Sequence, residues 1–154
     1  GGLGLLKNKL EDDFLVMNGD VLTGLDFSEF LEFHKETGSI ATIALNRRHV
    51  DIDFGVVELD ENRTLIGYIE KPKIDYLVSM GVYAFNESIL EYIPSHEYLD
   101  IPDLMKRLLS EGEKVNGFIH DGYWLDIGRP DDYIKANEDI QKIYRELGVS
   151  IDET

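Results

Sequence analysis

A chain of 154 residues with 43% hydrophobic content suits one compact domain or a large part of one, and is too apolar to stay disordered. With 31 acidic against 15 basic side chains the formal charge is −16, which argues against a nucleic-acid partner and favours solubility and bound cations. Zero cysteines remove disulfides, thiolate zinc sites and thiol nucleophiles, and no apolar run approaches the roughly 18 to 20 residues of a membrane helix or forms a leader, so the chain reads as soluble, cytoplasmic and without a membrane partner.

GGLGLLKNKL opens without a methionine and runs straight into an expected helix, Leu3 to Leu10; upstream chain is expected to be missing. Phe14 to Asn18 is a strand that ends on Gly19 and the bare carboxylate of Asp20. From Asp26, an N-cap, a helix runs with apolar positions at 27, 30, 31 and 33 until Gly38 stops it. Strands are expected at 40–45, 54–59, 64–70 and 76–85, with Asp60-Glu61-Asn62 as a turn. Helical segments follow at 87–92 and 103–111, where Leu104, Leu108 and Leu109 read as a core face. A strand at 115–119 and a last helix from Pro130 towards Leu147 complete the order. That order is α/β. Its strand–helix–strand start suggests a parallel pair with a right-handed crossover, and the strands between 54 and 85 suggest antiparallel additions, giving a mixed sheet between helix layers.

Ligands in open α/β sheets sit beyond the carboxyl ends of strands, which is where Asp20 falls, with Gly19 allowing close approach. Asp20 as a cap of its own turn is the plain alternative and stays open on the residues alone. YIEKPK at 68–73 ends a strand on Glu70 and Lys71, which alternate faces, before Pro72 stops the ladder; a solvated strand end is the alternative. DGYWLDIGRPDDY at 121–133 places the single Trp two residues before Asp126, on an apolar run where a carboxylate is costly to bury without a cation or donors. FGVVELD at 54–60 opens a strand on Gly55, whose bare backbone suits a ligand or a turn equally. His34, His49, His96 and His120 are scattered without metal-ligand spacing and read as surface or packing residues.

Taken together and in order, LVMNGD, FGVVELD, IEKP, MGVYAFN and WLDIGRPDDY resemble the sugar-phosphate nucleotidylyltransferases, or nucleotide-sugar pyrophosphorylases, over nearly the whole chain. The flavour is that of mannose-1-phosphate guanylyltransferases and glucose-1-phosphate nucleotidylyltransferases. The resemblance implies a three-layer α/β/α Rossmann-like nucleotidyltransferase fold with a mixed, mainly parallel sheet, truncated at its N-terminus, with residues 1–154 as the C-terminal two-thirds of a single domain. It implies that Asp20 and Asp126 bind Mg²⁺, that Glu70 accepts bonds from sugar hydroxyls, and that Lys71 clamps the sugar phosphate. It further implies that Gly55 offers its backbone to the sugar, that Val82 lines the same pocket, and that Gly1 belongs to the tail of a Gly-rich loop. The Gly-rich signature with its Arg and Lys is not matched, so the nucleotide side of the site is expected to be incomplete in this chain.

The chemistry suits the residues. A sugar-1-phosphate oxygen is already anionic, so its attack on a nucleoside triphosphate needs charge neutralisation and alignment more than a general base. Mg²⁺ prefers a few carboxylates plus waters and phosphate oxygens, and Lys is a fitting point charge for phosphate. The expected partners are a nucleoside triphosphate and a sugar-1-phosphate, with a homo-oligomer left open. Two other readings stand beside this one: a non-catalytic regulatory or scaffolding relative, and a metal-dependent glycosyltransferase. The second would show Asp-x-Asp where this chain has Asn18-Gly19-Asp20.

Overall fold

The structure is a computed structural model and describes residues 2–7, 9–10, 12–94, 98–128, 130–138 and 144. After a 3-10 helix at Gly2–Leu6, shorter than the helix expected there, the elements run β1 (Phe14–Met17), β2 (Val21–Thr23), α1 (Phe27–Thr37), β3 (Ala41–Asp51), β4 (Val56–Leu59), β5 (Leu65–Ile69) and β6 (Lys73–Phe85). A second 3-10 helix at Glu87–Tyr92 leads to α2 (Ile101–Ser110), β7 (Val115–Ile119), β8 (Trp124–Asp126) and α3 (Pro130–Glu138). The continuation of the last helix towards Leu147 lies outside the described residues, apart from Tyr144.

Four strands form the central sheet in the order β1-β6-β3-β7. β6 is antiparallel to both β1 and β3, while β7 is parallel to β3, so β1, β3 and β7 share one direction and β6 alone is reversed. The expected strand pair on either side of α1, β1 and β3, is therefore parallel, but β6 is inserted between the two. Met80 to Phe85 are all buried there, as a strand covered on both faces requires.

Alternation along β6 divides the core into two layers. Met80, Val82 and Ala84 join Val21, Leu25, Phe30 and Ala44 on the side of α1. Tyr83 and Phe85 join Ala41, Ile89, Leu90, Leu104, Met105 and Leu108 on the side of α2. Helices thus cover both faces, giving the three-layer α/β/α arrangement. α1 starts where the Asp26 carboxylate accepts the Ser28 and Glu29 amides at 2.8 and 3.1 Å, and ends at Gly38 in the left-handed region. Leu109 departs from its expected core position: at 63% exposure it lies one step past the stripe carried by Leu104 and Leu108. Phe27, in the first turn of α1, is likewise outside the buried stripe centred on Phe30 and His34.

Past Leu45, β3 and β6 leave the helix layers as a two-stranded arm with exposed side chains at 47–51 and 73–77. The arm carries the antiparallel β4–β5 hairpin, whose turn is tied by the Asp60 carboxylate accepting the Asn62 and Thr64 amides at 2.8 Å each. Among the described residues, no helix is long and apolar enough to cross a membrane.

Candidate active site

β1 runs to the end of the sheet at which Asn18, Gly19 and Asp20 follow. The Asn18 amide bonds the Gly81 carbonyl at 2.9 Å, holding that loop against β6. Two three-residue strands then do what the sequence did not announce. β2 and β8 pair antiparallel with Val21 opposite Asp126, and the Ile127 amide bonds the Asp20 carbonyl at 2.8 Å. Trp124 anchors this pair to the sheet, its indole N–H donating to the Met80 carbonyl at 3.0 Å while Arg48 sits 4.8 Å from its ring centre. Asp20 and Asp126, distant in sequence, are brought together.

Gly128 shows how close they stand. A β-carbon there would lie 2.8 Å from Asp20 Oδ2 and 3.0 Å from Asp126 Oδ1. Gly128 is not in the left-handed region, so the glycine serves space rather than backbone freedom. Asp126 Oδ1 accepts the Gly128 amide at 2.9 Å. The Asp20 carboxylate accepts no hydrogen bond from a described residue, unlike Asp26, Asp60 and Asp100, which hold turn or cap amides. This weighs against Asp20 as a cap of its own turn. Asp126 is exposed rather than buried, so no desolvation cost marks it; what marks it is the second carboxylate beside the same glycine. Two like charges around one small cradle suit a divalent cation, and among the described residues no third Asp, Glu or His joins them.

The second group sits on the hairpin, which the arm carries from the same end of the sheet. Gly55 immediately precedes β4 and faces Tyr68 and Glu70: a β-carbon at 55 would lie 2.2 Å from Tyr68 Oη and 3.0 Å from Glu70 Oε2. The space before Gly55 is therefore filled by the Tyr68 hydroxyl, where the resemblance implied bare backbone facing a sugar. β5 ends at Ile69, so Glu70 and Lys71 form a bend rather than alternating along a strand. Lys71 has φ of 45°, a left-handed conformation costing a residue with a β-carbon about 1–2 kcal/mol, and it precedes Pro72. Lys71 is exposed and makes no ion pair among the described residues, leaving its ammonium available. Val82 is placed otherwise than implied: it is fully buried in the layer beneath α1, because alternation along β6 turns its side chain into the core. Gly1 lies outside the described residues.

The histidines divide. His49 is exposed near Asp51, His96 lies outside the described residues, and His120 Nε2 is buried without a hydrogen-bond partner among the described residues. His34 is buried at 1% exposure, its Nδ1 2.7 Å from Thr42 Oγ1 and its Nε2 3.8 Å from Asp13. Burial pushes its pKa below the usual 6.5, outweighing the attraction of Asp13, while Lys35 adds to the lowering. A histidine kept neutral by the fold contributes stability that is full above the unfolded value and is lost as pH falls below it. Urea midpoints should accordingly be lower at about pH 5.5 than at about pH 7.5, with the His34 ring titrating below 6.5 by NMR. A ring titrating at or above that value contradicts the expectation.

A family model described as nucleotidyl transferase matches residues 3–143. The chain belongs to that family. A mannose-1-phosphate guanylyltransferase from Mycobacterium tuberculosis is 31% identical over 146 residues, covering 91% of this chain and 40% of the relative. A UTP–glucose-1-phosphate uridylyltransferase from Synechocystis sp. is 33% identical over 133 residues, covering 82% of this chain and 34% of the relative. The crystal structure of HddC from Yersinia pseudotuberculosis superposes with a TM-score of 0.60 at 26% identity, covering 91% of this chain and 62% of that one. The chain thus spans about a third to two fifths of the length of these curated relatives. The expected nucleotidyltransferase fold and the sugar-phosphate nucleotidyltransferase family are both met.

Proposed function

We propose that the intact protein transfers a nucleotidyl group from a nucleoside triphosphate to a sugar-1-phosphate in the presence of Mg²⁺, releasing a nucleotide sugar and pyrophosphate. The observation that carries this reading is the pair of carboxylates around Gly128, a cradle that a single β-carbon would fill. Asp20 and Asp126 would hold Mg²⁺, whose chemistry when bound is to neutralise phosphate charge. The hairpin supplies the acceptor side. Glu70 accepts hydrogen bonds from sugar hydroxyls, and the Lys71 ammonium holds the sugar phosphate as a point charge. A phosphate oxygen of the acceptor forms the new bond to the α-phosphorus as the bond to the β-phosphate oxygen breaks, its electron pair leaving with pyrophosphate. The acceptor oxygen is already anionic, which is why no general base is needed beside it.

The names of the relatives differ in both base and sugar, so the test is a panel. Each common nucleoside triphosphate is paired with mannose 1-phosphate and with glucose 1-phosphate, and pyrophosphate release is followed with Mg²⁺ and with a chelator. Release from at least one pair that the chelator abolishes is the expected result; silence from every pair overturns the reading. With the active pair in hand, Lys71→Met should raise KM for the sugar phosphate about tenfold, a loss of about 1.4 kcal/mol, and move KM for the nucleotide by less than about twofold. Equal effects on both would remove Lys71 from the acceptor side.

A further inference from the structure

Binding a sugar hydroxyl requires a carboxylate at Glu70 but no tyrosine beside it, yet the hairpin builds one in. Tyr68 is on β5 and Glu70 in the bend just past its end, and Tyr68 Oη donates to Glu70 Oε2 at 2.7 Å. Tyr68 pairs with Val57 across the hairpin, which makes Gly55 its diagonal neighbour. The ring lies over Gly55, where a β-carbon would come within 2.6 Å of Cζ and 2.2 Å of Oη. No larger residue at 55 would leave the ring where it is. Glycine at 55 is what lets the tyrosine reach the carboxylate.

The pair does little for the stability of the fold. Tyr68 is 60% exposed, and a hydrogen bond in that setting competes with water. Its bond to Glu70 nevertheless holds the phenol proton, raising the hydroxyl's pKa above its usual 10.0. The other carboxylate oxygen, Oε1, accepts no hydrogen bond from a described residue. A glutamate at an exposed bend otherwise samples several rotamers, and ordering it on binding costs side-chain entropy. A carboxylate already clamped through one oxygen presents the other at a lower cost.

We propose that Tyr68 is a positioning residue for the acceptor: it fixes Glu70 through Oε2 so that Oε1 meets a sugar hydroxyl, and Gly55 is there to admit its ring. The inference rests on the function proposed above. Its test uses the intact protein with its active substrate pair. Tyr68→Phe keeps the ring over Gly55 and removes only the hydroxyl; it should raise KM for the sugar phosphate about three- to tenfold and leave kcat and the nucleotide KM within about twofold. Glu70→Ala should raise the same KM, and adding Tyr68→Phe to it should change nothing further, because the tyrosine acts through the carboxylate that the alanine has removed. An active protein whose sugar-phosphate KM is unmoved by Tyr68→Phe, or whose double variant loses as much again, overturns this inference alone. A protein silent with every pair overturns the functional reading and this inference with it.

Discussion

Asp126→Asn is expected to lower Mg²⁺-dependent pyrophosphate release by about a hundredfold or more, since a metal's stabilisation of transferring phosphate is worth several kcal/mol and each ~1.4 kcal/mol is tenfold in rate. The amide keeps the shape of the side chain, and its Oδ1 can still accept the Gly128 amide that the carboxylate accepts at 2.9 Å. What it removes is one of the two negative charges beside Gly128. Without metal those charges repel, so the variant should melt at the same temperature as the wild type or slightly above it. With metal the sign reverses: added Mg²⁺ should raise the melting temperature of the wild type by preferential binding to the folded state, and should do so less in the variant. Thermal melts with and without Mg²⁺, read beside the rate, separate the two accounts of Asp126. A large loss of stability with activity retained would make it a structural residue.

The legible part of this chain was the part governed by local pattern. Alternation and run length marked β1, β4, β5, β6 and β7, and the Asp26 cap with Gly38 bounded α1 to within a residue or two. The buried run of β6 was read as a strand, but nothing in one sequence says that it inserts between β1 and β3, because strand order is a matter of packing partners. β2 and β8 escaped for a physical reason: three residues are too few to display a period, and Val21-Leu22-Thr23 takes its strand form from its pairing with Trp124-Leu125-Asp126. That pairing is what joins the two candidate carboxylates. The sequence therefore named Asp20 and Asp126 through motifs while giving no reason for their proximity.

Other misreadings share that cause. Asp126 was marked as costly to bury, but its strand lies where the side chain is exposed, so the apolar residues around it were a false guide. Gly55 stays open between ligand and turn on the residues alone because a glycine does not announce whether its missing side chain makes room for a ligand or for a neighbour; in the structure that room holds Tyr68. Val82 follows from alternation once β6 is known to be covered on both faces, since its parity places it with Met80 and Ala84 beneath α1. Gly128 sits inside the DGYWLDIGRPDDY run, but its closeness to both carboxylates depends on the β2–β8 ladder and is visible only in three dimensions.

Gly128→Ala carries the sharpest test of the cradle because stability and activity should part company. Its backbone is not left-handed, so alanine adds no conformational strain, and the more restricted unfolded chain favours the variant by about 0.4–1 kcal/mol where the native conformation fits. The added β-carbon, however, would lie 2.8 Å from Asp20 Oδ2 and 3.0 Å from Asp126 Oδ1, distances that carbon and oxygen do not share without one moving. The carboxylates are the ends of short side chains, so they rotate outward before the backbone gives way. The expected result is a melting temperature equal to or above the wild type, a Mg²⁺ requirement shifted to higher concentration, and a rate at moderate Mg²⁺ lower by about tenfold to a hundredfold. Raising Mg²⁺ should recover part of the rate, since both ligands remain and only their spacing has changed. An alanine variant with the wild-type rate at the wild-type Mg²⁺ requirement would mean that the metal, or the chemistry, lies elsewhere than between Asp20 and Asp126.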